Sequence, residues 1–255
     1  MKIIKVTLTA IILTFTILND SIVFAQQSTS FPYLVKKGNA AQIMLNNEPL
    51  LMLAGELGNS SASDIRYMDW IWDKVQEIGL NTLLAPVYWE LIEPEEGKYD
   101  FSLVEGLING ARKKNIKLVF LWFGSWKNSM SCYVPAWVKN NQKRFPRAVD
   151  KEGKSQEMLS VFSEENRNTD AKAFRALMKH IHKIDSKEKT VILVQVENEI
   201  GMIPSAREYT TEANIKYSEA VPKELLIFLE KIWNLKNLFL NLENGIAKEK
   251  KRRVL

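Results

Sequence analysis

Two carboxylates and an amide follow an apolar stretch of the chain, within Val191–Gly201, which reads VILVQVENEIG. A continuous apolar run is typical of a buried strand in a parallel sheet. Because Glu197 and Glu199 are two residues apart, a regular strand would place both on one face and Asn198 on the other. In a barrel of parallel strands, the edge where such a strand ends carries the chemistry. The alternative is that these groups begin a loop and form hydrogen bonds there.

The composition excludes several other classes of function. The 255 residues, 46% apolar and 25% charged, are ordinary for a globular protein with one larger domain. Much of the net charge of +5 lies in the final KEKKRRVL, and no basic stripe with interleaved aromatics occurs, so nucleic acid is not an expected partner. The single Cys132 excludes an internal disulfide framework and a cysteine metal cluster. With only His180 and His182, a multi-histidine metal site is not expected either.

The first 25 residues have the pattern of a secretory signal peptide. Met1–Lys5 carries two lysines, Val6–Leu18 is an apolar run interrupted only by threonines, and Val23–Ala25 offers a signal-peptidase site before Gln26. The run is short for a membrane span, although an uncleaved anchor is the alternative. We therefore predict export to the periplasm or the extracellular space, without a stable membrane anchor.

Apolar periodicity predicts the elements that position the polar groups. The predicted strands are Tyr33–Val35, Ala41–Leu45, Leu50–Ala54, Leu80–Val87, Ile116–Phe123 and the run that begins at Val191. The predicted helices are Ser61–Gly79, Asp100–Asn115, Thr169–Ile184 and Lys223–Trp233. A long connection, rich in aromatic and polar residues, reaches from the fifth strand to about Asn166, and 202–220 is predicted as a polar connection. This alternation predicts an α/β fold with a parallel sheet.

The predicted strand ends suit a sugar site better than a nucleotide site. No GxGxxG follows the first main strand, and no GxxxxGK[ST] occurs. The main strands instead end near Glu56, Trp89-Glu90, Trp126 and Glu197. Apolar sugar faces stack on aromatic rings, and sugar hydroxyls bond to carboxylates and amides.

Four segments resemble the catalytic domain of glycoside hydrolase family 35, the β-galactosidases, and in particular its exported bacterial members. The segments are Leu53-Ala54-Gly55-Glu56; the run from Asn81-Thr82 through Tyr88-Trp89-Glu90 to Glu93-Pro94, Gly97 and Tyr99-Asp100-Phe101; Val134-Pro135-Ala136-Trp137; and Gln195–Gly201, which reads QVENEIG. The resemblance covers about Leu51 to Gly201. It implies an α/β fold of the (β/α)8 TIM-barrel type, with about the first four βα units present.

The resemblance also implies the roles of individual residues. In this family the Glu after Asn is the general acid/base, which here is Glu199, and Asn198 would bond the sugar 2-hydroxyl. A carboxyl at the mouth of an apolar barrel is expected to be partly desolvated, which raises its pKa. Glu197 is expected to be structural. The other implied sugar contacts are Tyr88, Trp89, Glu90 and Trp126, and the alternative for each tryptophan is packing in the barrel top. No metal or organic cofactor is implied, because two carboxylates perform the chemistry.

Two features depart from the family's pattern. Many members carry Cys-Ala-Glu-Trp after the third strand, whereas this chain has Phe123-Gly124-Ser125-Trp126. Ser125 therefore replaces a substrate-contacting Glu, and galactose specificity does not follow from the resemblance alone. In addition, the family's nucleophile comes from the seventh strand, and no Glu after Glu199 ends an apolar strand. We therefore expect a truncated chain without the nucleophile.

The expected organisation has four parts: a signal peptide at 1–25, an N-terminal strand segment at 26–50, the N-terminal half of a barrel at 51–237 and an irregular basic tail at 238–255. The expected function is hydrolysis of terminal β-galactosides, with activity lost if the nucleophile strand is missing. Two alternatives stay open. One is a related clan member that acts on another β-glycoside. The other is a non-catalytic carbohydrate-binding fragment that uses Trp89, Trp126 and Trp137.

Overall fold

The computed structural model of the chain describes residues 31–202 and 205–233. The predicted signal peptide at 1–25 and the predicted tail at 238–255 lie outside the described residues. The contacts divide the chain into two units. The first comprises the residues up to Arg147 together with Glu157–Gly201, and the second comprises Ala148–Gln156 and the residues from Met202 onward. The predicted site residues all lie in the first unit.

The described elements follow one another in this order along the chain. The strands are β1 Tyr33–Lys37, β2 Ala40–Leu45, β3 Glu48–Leu50, β4 Ala54–Glu56, β5 Thr82–Tyr88, β6 Lys117–Phe123, β7 Arg147–Val149, β8 Ser155–Leu159 and β9 Val191–Val196. The helices are α1 Ile65–Glu77, α2 Trp89–Ile92, α3 Ser102–Lys113, α4 Ala136–Lys139, α5 Glu164–Asp185, α6 Thr211–Ser218 and α7 Lys223–Trp233.

Four parallel strands form the main sheet of the first unit, in the order β4-β5-β6-β9. Helices lie in each connection between these strands, as a parallel sheet requires. The strands form because their sequences are apolar runs: every residue of β6 after Lys117 is buried, and Phe120 is fully buried. The predicted α/β fold with a parallel sheet is therefore confirmed.

The N-terminal strands form a separate antiparallel sheet, in the order β1-β2-β3. The tight turn between β2 and β3 consists of Asn46 and Asn47, with φ values of 53° and 68°. Asparagine tolerates this left-handed conformation better than most residues, and a pair of such residues favours a hairpin turn. The strands predicted at the start of the chain are confirmed.

The first strand of the main sheet differs from its sequence prediction. The sequence predicts it at Leu50–Ala54, whereas the structure has β4 at Ala54–Glu56. The apolar residue Leu50 belongs to β3 instead, where it pairs with Ile43 in the antiparallel sheet. An apolar run alone cannot show which of two neighbouring sheets a strand joins.

The region before β9 also differs from its prediction. The connection after β6, predicted as a long loop, contains α4 and the β7–β8 hairpin. Helix α5 begins at Glu164 rather than Thr169, because the Ser163 hydroxyl accepts the backbone N–H of Asn166 and caps the helix. The sequence prediction relied on apolar spacing, which starts later than the cap.

Helices α1 and α3 pack on the sheet through apolar stripes. The buried residues of α1 are Met68, Ile71, Trp72 and Val75, and those of α3 are Val104, Leu107, Ile108 and Ala111. Asp64 caps α1 by accepting the backbone N–H of Arg66. The predicted end of this helix is confirmed, since Gly79 follows α1 with a φ of +76°, a conformation that favours glycine after a helix.

The second unit contains α6 and α7. The predicted helix at Lys223–Trp233 is confirmed as α7, whereas α6 lies in a segment that the sequence predicts as a polar connection. Thr210 caps α6 by accepting the backbone N–H of Ala213. Across residues 31–202 and 205–233, the structure has no helix long and apolar enough to cross a membrane.

Asp185, the last residue of α5, fixes the start of β9. Its carboxylate accepts the Val191 backbone N–H at 2.7 Å and the Arg112 guanidinium at 2.7 Å. The Asp185 side chain is only 2% exposed, so both partners are needed to offset its loss of water. The strand that leads to the candidate acid/base is thus tied to α5 and α3.

We expect Asp185→Ala to lower the free energy of unfolding by about 3 kcal/mol, because Arg112 and the Val191 amide lose their buried partner. Urea denaturation measures this loss. The control is Asp73→Ala, which removes the exposed ion pair with Lys114 and is expected to cost less than about 1 kcal/mol. Equal losses in both variants would contradict the anchoring role of Asp185.

Candidate active site

The C-terminal edge of the main sheet carries the predicted site residues. Strands β4, β5, β6 and β9 are parallel, so the segments that follow them lie at the same edge. Trp89 and Glu90 follow β5, Trp126 follows β6, and Asn198 and Glu199 follow β9. Of these segments, the structure joins the one after β6 to the one after β9 by direct hydrogen bonds.

The segment after β9 is a turn rather than a continued strand. The strand ends at Val196, and Glu197 and Glu199 have left-handed φ values of 61° and 51°. The regular strand does not extend to Glu197, and the alternative in which these groups begin a loop and form hydrogen bonds there is confirmed. Hydrogen bonds to the neighbouring segment produce the turn, among them the Asn198 backbone N–H donating to the Trp126 carbonyl at 3.2 Å. Such a backbone persists only where its surroundings hold it.

Glu197 forms the main side-chain link between these two segments. Its carboxyl group accepts the backbone N–H of Ser125 at 3.1 Å and that of Trp126 at 2.6 Å. Asp170 of α5 lies beside it and accepts the same Ser125 N–H at 2.7 Å and the Trp122 indole N–H at 2.9 Å. One backbone N–H thus serves two carboxyl groups. The structural role that the sequence analysis expects for Glu197 agrees with these contacts.

The surroundings of Glu197 favour its neutral form. Burial raises the pKa of the Glu197 carboxyl well above its usual range, and the hydrogen bond and negative charge of Asp170 raise this pKa further. The N–H groups of Trp126 and Ser125 act in the opposite direction but do not reverse the effect. Glu197 therefore keeps its proton at neutral pH.

Gly124 makes the close approach of the two carboxyl groups possible. A Cβ atom at this position would lie 2.3 Å from Trp122 Nε1 and 2.7 Å from both Asp170 Oδ2 and Glu197 Oε1. Such distances are far below van der Waals contact, so a side chain here would displace the carboxyl groups. Glycine stands here in the segment where the chain departs from the family's Cys-Ala-Glu-Trp pattern.

Sequence reasoning missed Asp170, although a signal was present. Asp170 lies four residues before Phe174 and seven before Leu177, so it shares the apolar face of its helix. A carboxylate on an apolar face is costly unless it has partners. Its position therefore pointed to a buried polar contact, which the structure provides through Trp122 and Ser125.

The loop after β6 also holds Asn198 and Glu199. Lys127 Nζ donates to Asn198 Oδ1 at 2.7 Å, and the Ser129 hydroxyl donates to the Glu199 carbonyl at 3.4 Å. The Glu199 side chain is exposed, so the expected desolvation of this carboxyl is absent from the described structure. The physical reason is that β9 lies at the end of the sheet order, where Val196 and Ile200 are exposed as well.

Tyr88 and Trp89 are buried beneath the sheet edge. The Tyr88 ring packs against Phe123 and Tyr133, and burial raises the pKa of its hydroxyl. Trp89 is fully buried, and its indole N–H donates to Glu93 at 2.9 Å. The packing alternative that the sequence analysis left open describes the arrangement of Trp89. Sugar contact by these two residues stays a prediction.

Glu90 is more accessible than its neighbours. Its carboxylate accepts from Lys139 Nζ at 3.1 Å, and its backbone N–H donates to the Tyr133 carbonyl. Roughly a third of the Glu90 side chain is exposed (36%), so a ligand hydroxyl could reach it. In residues 31–202 and 205–233, no three His, Cys, Asp or Glu side chains are grouped as a metal ion requires.

Trp126 lines a cavity of about 280 Å³ beside α5 and β9. Apolar walls come from Leu159, Val161, Phe174, Val196 and Ile200, and polar groups come from Ser125, Asn166, Arg167, Asp170 and Glu197. The Trp126 side chain is itself only 5% exposed, and its backbone holds Glu197 and Asn198. The residue therefore supports the turn after β9, and a direct contact between its ring and a sugar stays a prediction.

Comparison with known proteins shows the family. The sequence model for glycosyl hydrolases family 35 matches residues 42–238. A β-galactosidase from Xanthomonas manihotis is 25% identical over 199 residues, which cover 73% of this chain and 30% of that protein. The chain thus spans about 30% of the length of this curated relative.

The fold is similar to that of solved β-galactosidases. The structure of Gan42B, a GH42 β-galactosidase from G. stearothermophilus, has a TM-score of 0.51 at 16% identity and covers 72% of this chain and 24% of that chain. A cold-adapted β-galactosidase from Rahnella sp. R3 has a TM-score of 0.49 at 18% identity, with coverages of 73% and 27%. At this identity, the likeness to Gan42B supports the fold alone.

We expect Gly124→Ala to lower the free energy of unfolding by about 1–3 kcal/mol, because its methyl group forces the Asp170 and Glu197 carboxyl groups and the Trp122 indole apart. The control is Gly201→Ala, where the added Cβ meets open space and the expected change is below about 1 kcal/mol. Urea denaturation compares the two. A Gly124→Ala variant as stable as the parent would show that the close contact is unimportant.

We expect stability to fall as pH rises above the usual range of glutamate. The folded state holds the Glu197 proton that the unfolded chain releases, so each increase in pH favours unfolding until the raised pKa is passed. The parent chain is expected to lose free energy of unfolding between about pH 5 and pH 8. In Glu197→Gln this loss is expected to be smaller by at least about 1 kcal/mol. Urea denaturation at several pH values measures it. Identical slopes in the parent chain and the variant would refute the raised pKa.

Proposed function

The chain belongs to glycosyl hydrolase family 35, and on that premise we propose that it hydrolyses terminal β-galactosides of oligo- or polysaccharides. The observation that carries this proposal is the position of Asn198 and Glu199. They follow β9 at the C-terminal edge of a parallel sheet, within the family match. The relative from Xanthomonas manihotis is a β-galactosidase, which supports the substrate class.

We assign the general acid/base role to Glu199. Its exposed carboxyl can give a proton to the leaving oxygen and later take one from water. Asn198 is the proposed contact of the sugar 2-hydroxyl, and Lys127 fixes its side-chain amide through Oδ1. Positioning of this kind supplies much of the rate in two-carboxylate hydrolysis.

A retaining mechanism also needs a carboxylate nucleophile roughly 5 Å from the acid/base. Glu197 does not fit that role, because its carboxyl keeps a proton and is bound to the Ser125 and Trp126 amides. We assign no nucleophile among residues 31–202 and 205–233. The proposed hydrolysis therefore requires a carboxylate nucleophile from outside these described residues.

A second candidate function is hydrolysis of another β-glycoside. Ser125 stands where many family members have a substrate-contacting Glu. In the structure it is buried, and its hydroxyl has no hydrogen-bond partner among the described residues. A short, buried side chain cannot replace that contact, which favours a different sugar. Glu90 is then a further accessible carboxylate at this edge that could bond a sugar hydroxyl.

Two further proposals concern architecture and location. We propose that the main sheet is part of a (β/α)8 barrel, because β4, β5, β6 and β9 are parallel neighbours in chain order and the fold resembles Gan42B. We also propose that the protein is exported. The support is the signal-peptide pattern of residues 1–25, which lie outside the described residues.

The test is hydrolysis of nitrophenyl β-galactoside by the full chain. Glu199→Gln is expected to lower kcat by about 10²- to 10⁴-fold, the usual effect of removing a general acid/base. The matched control is Glu77→Gln, an exposed glutamate of α1 that pairs with Lys74, with a rate expected within about twofold of the parent.

A panel with nitrophenyl β-glucoside and β-mannoside separates the candidate functions. Faster hydrolysis of either sugar, still dependent on Glu199, would replace the galactoside proposal with the second candidate. Galactose binding without turnover, unaffected by Glu199→Gln, would contradict both and favour a non-catalytic binding fragment.

A further inference from the structure

We propose that Asp170 and Glu197 share one proton and form a latch that orients Asn198 and Glu199. In this pair Glu197 donates its proton to the Asp170 carboxylate, and both are positioning residues rather than catalytic residues. The inference rests on the proposed function only where it concerns Glu199 as the acid/base. The latch itself is a property of the fold.

The geometry ties three elements together at one point. Asp170 projects from α5 and is held by the Trp122 indole of β6 at 2.9 Å. Glu197 follows β9 and is held by the Trp126 backbone at 2.6 Å. The Ser125 N–H then donates to both carboxyl groups, at 2.7 Å and 3.1 Å. The pair can therefore not move without breaking contacts to both the helix and the loop.

The latch acts on Glu199 through the backbone. Glu197 immediately precedes Asn198, and the left-handed conformations of Glu197 and Glu199 depend on outside support. The side chain of Glu197 supplies part of that support, together with the Asn198 N–H bond to Trp126 and the Lys127 bond to Asn198. Without the Glu197 anchor, the turn is free to relax and carry the Glu199 carboxyl away.

The charges around the pair explain why one proton stays there. On the loop after β6, the cation Lys127 is already bound to Asn198, and on α5 Arg167 lines the same cavity. The other carboxyl group close in sequence, Glu199, is exposed. Two ionised carboxylates at one shared N–H would repel each other in a partly buried site. Loss of the proton in alkaline solution therefore opens the latch.

Infrared spectroscopy of the full chain tests the shared proton without requiring activity. At about pH 8, where ordinary carboxyl groups are ionised, the C=O stretch of one protonated carboxylic acid is expected. Glu197→Gln is expected to remove this band. Asp170→Asn is expected to shift its pH midpoint to lower pH by about two units, the size of a strong carboxylate coupling. The control Glu77→Gln leaves the band in place.

The proposal is overturned if the parent chain lacks the band at about pH 8, or if Asp170→Asn leaves the midpoint unchanged. Circular dichroism verifies that each variant is folded. Each amide substitution preserves the size of the side chain but replaces one acceptor oxygen with an NH2 donor. If one variant fails to fold, the other still decides the result.

Hydrogen exchange tests the positioning role. The Asn198 N–H donates to the Trp126 carbonyl, so it is expected to be protected from exchange in the parent chain. Glu197→Ala is expected to increase its exchange rate at least about tenfold, whereas Glu197→Gln, which can still donate to Asp170 and accept from Trp126, retains most of the protection. Unchanged protection in Glu197→Ala would overturn the latch.

Hydrolysis provides the last readout and separates the two proposals. Glu197→Ala is expected to lower kcat at least about tenfold with little change in KM, and Glu197→Gln to recover most of this loss. Equal impairment in both variants would overturn the positioning role. A parent chain that shows the infrared band and the protected amide but no hydrolysis would refute the proposed function while supporting the latch.

Discussion

A single backbone N–H, that of Ser125, donates to two carboxyl groups, and the arrangement of the candidate site depends on this shared donor. Asp170 and Glu197 come from different elements and meet only because Gly124 has no side chain between them. Partly buried carboxyl groups this close cannot both be ionised without a large energetic cost. This contact therefore explains the raised pKa of Glu197, the left-handed turn after β9 and the glycine at position 124.

Strand β9 is held at both ends, which links the fold to the proposed chemistry. At its start, Asp185 binds the Val191 amide and Arg112. Just beyond its end, Glu197 binds the amides after β6. Between these anchors the strand pairs with β6 in a parallel sheet. The proposed acid/base, Glu199, thus occupies a position set by contacts on either side of the strand, although it is exposed itself.

The main strands and the end of α1 could be predicted from the sequence, because β5, β6 and β9 are apolar runs and Gly79 follows α1 as a typical residue after a helix. The turn at Glu197 could not, since its partners lie about 70 residues earlier and periodicity reports only local spacing. The burial of Trp89 was equally hidden, because an aromatic residue at a strand end is compatible with packing and with sugar binding. Asp170 was recognisable as a carboxylate on an apolar helix face, but its spacing alone does not show which groups it contacts.

The most direct test of the central claim is a crystal structure of the full chain with a thio-linked nitrophenyl β-galactoside, which is not hydrolysed. The account predicts a Glu199 carboxyl oxygen about 3 Å from the glycosidic sulfur and the Asn198 amide at the sugar 2-hydroxyl, with Glu197 still bound to the Ser125 and Trp126 amides. A galactoside bound at this sheet edge with Glu199 directed away from the sulfur, or bound elsewhere on the chain, would contradict it.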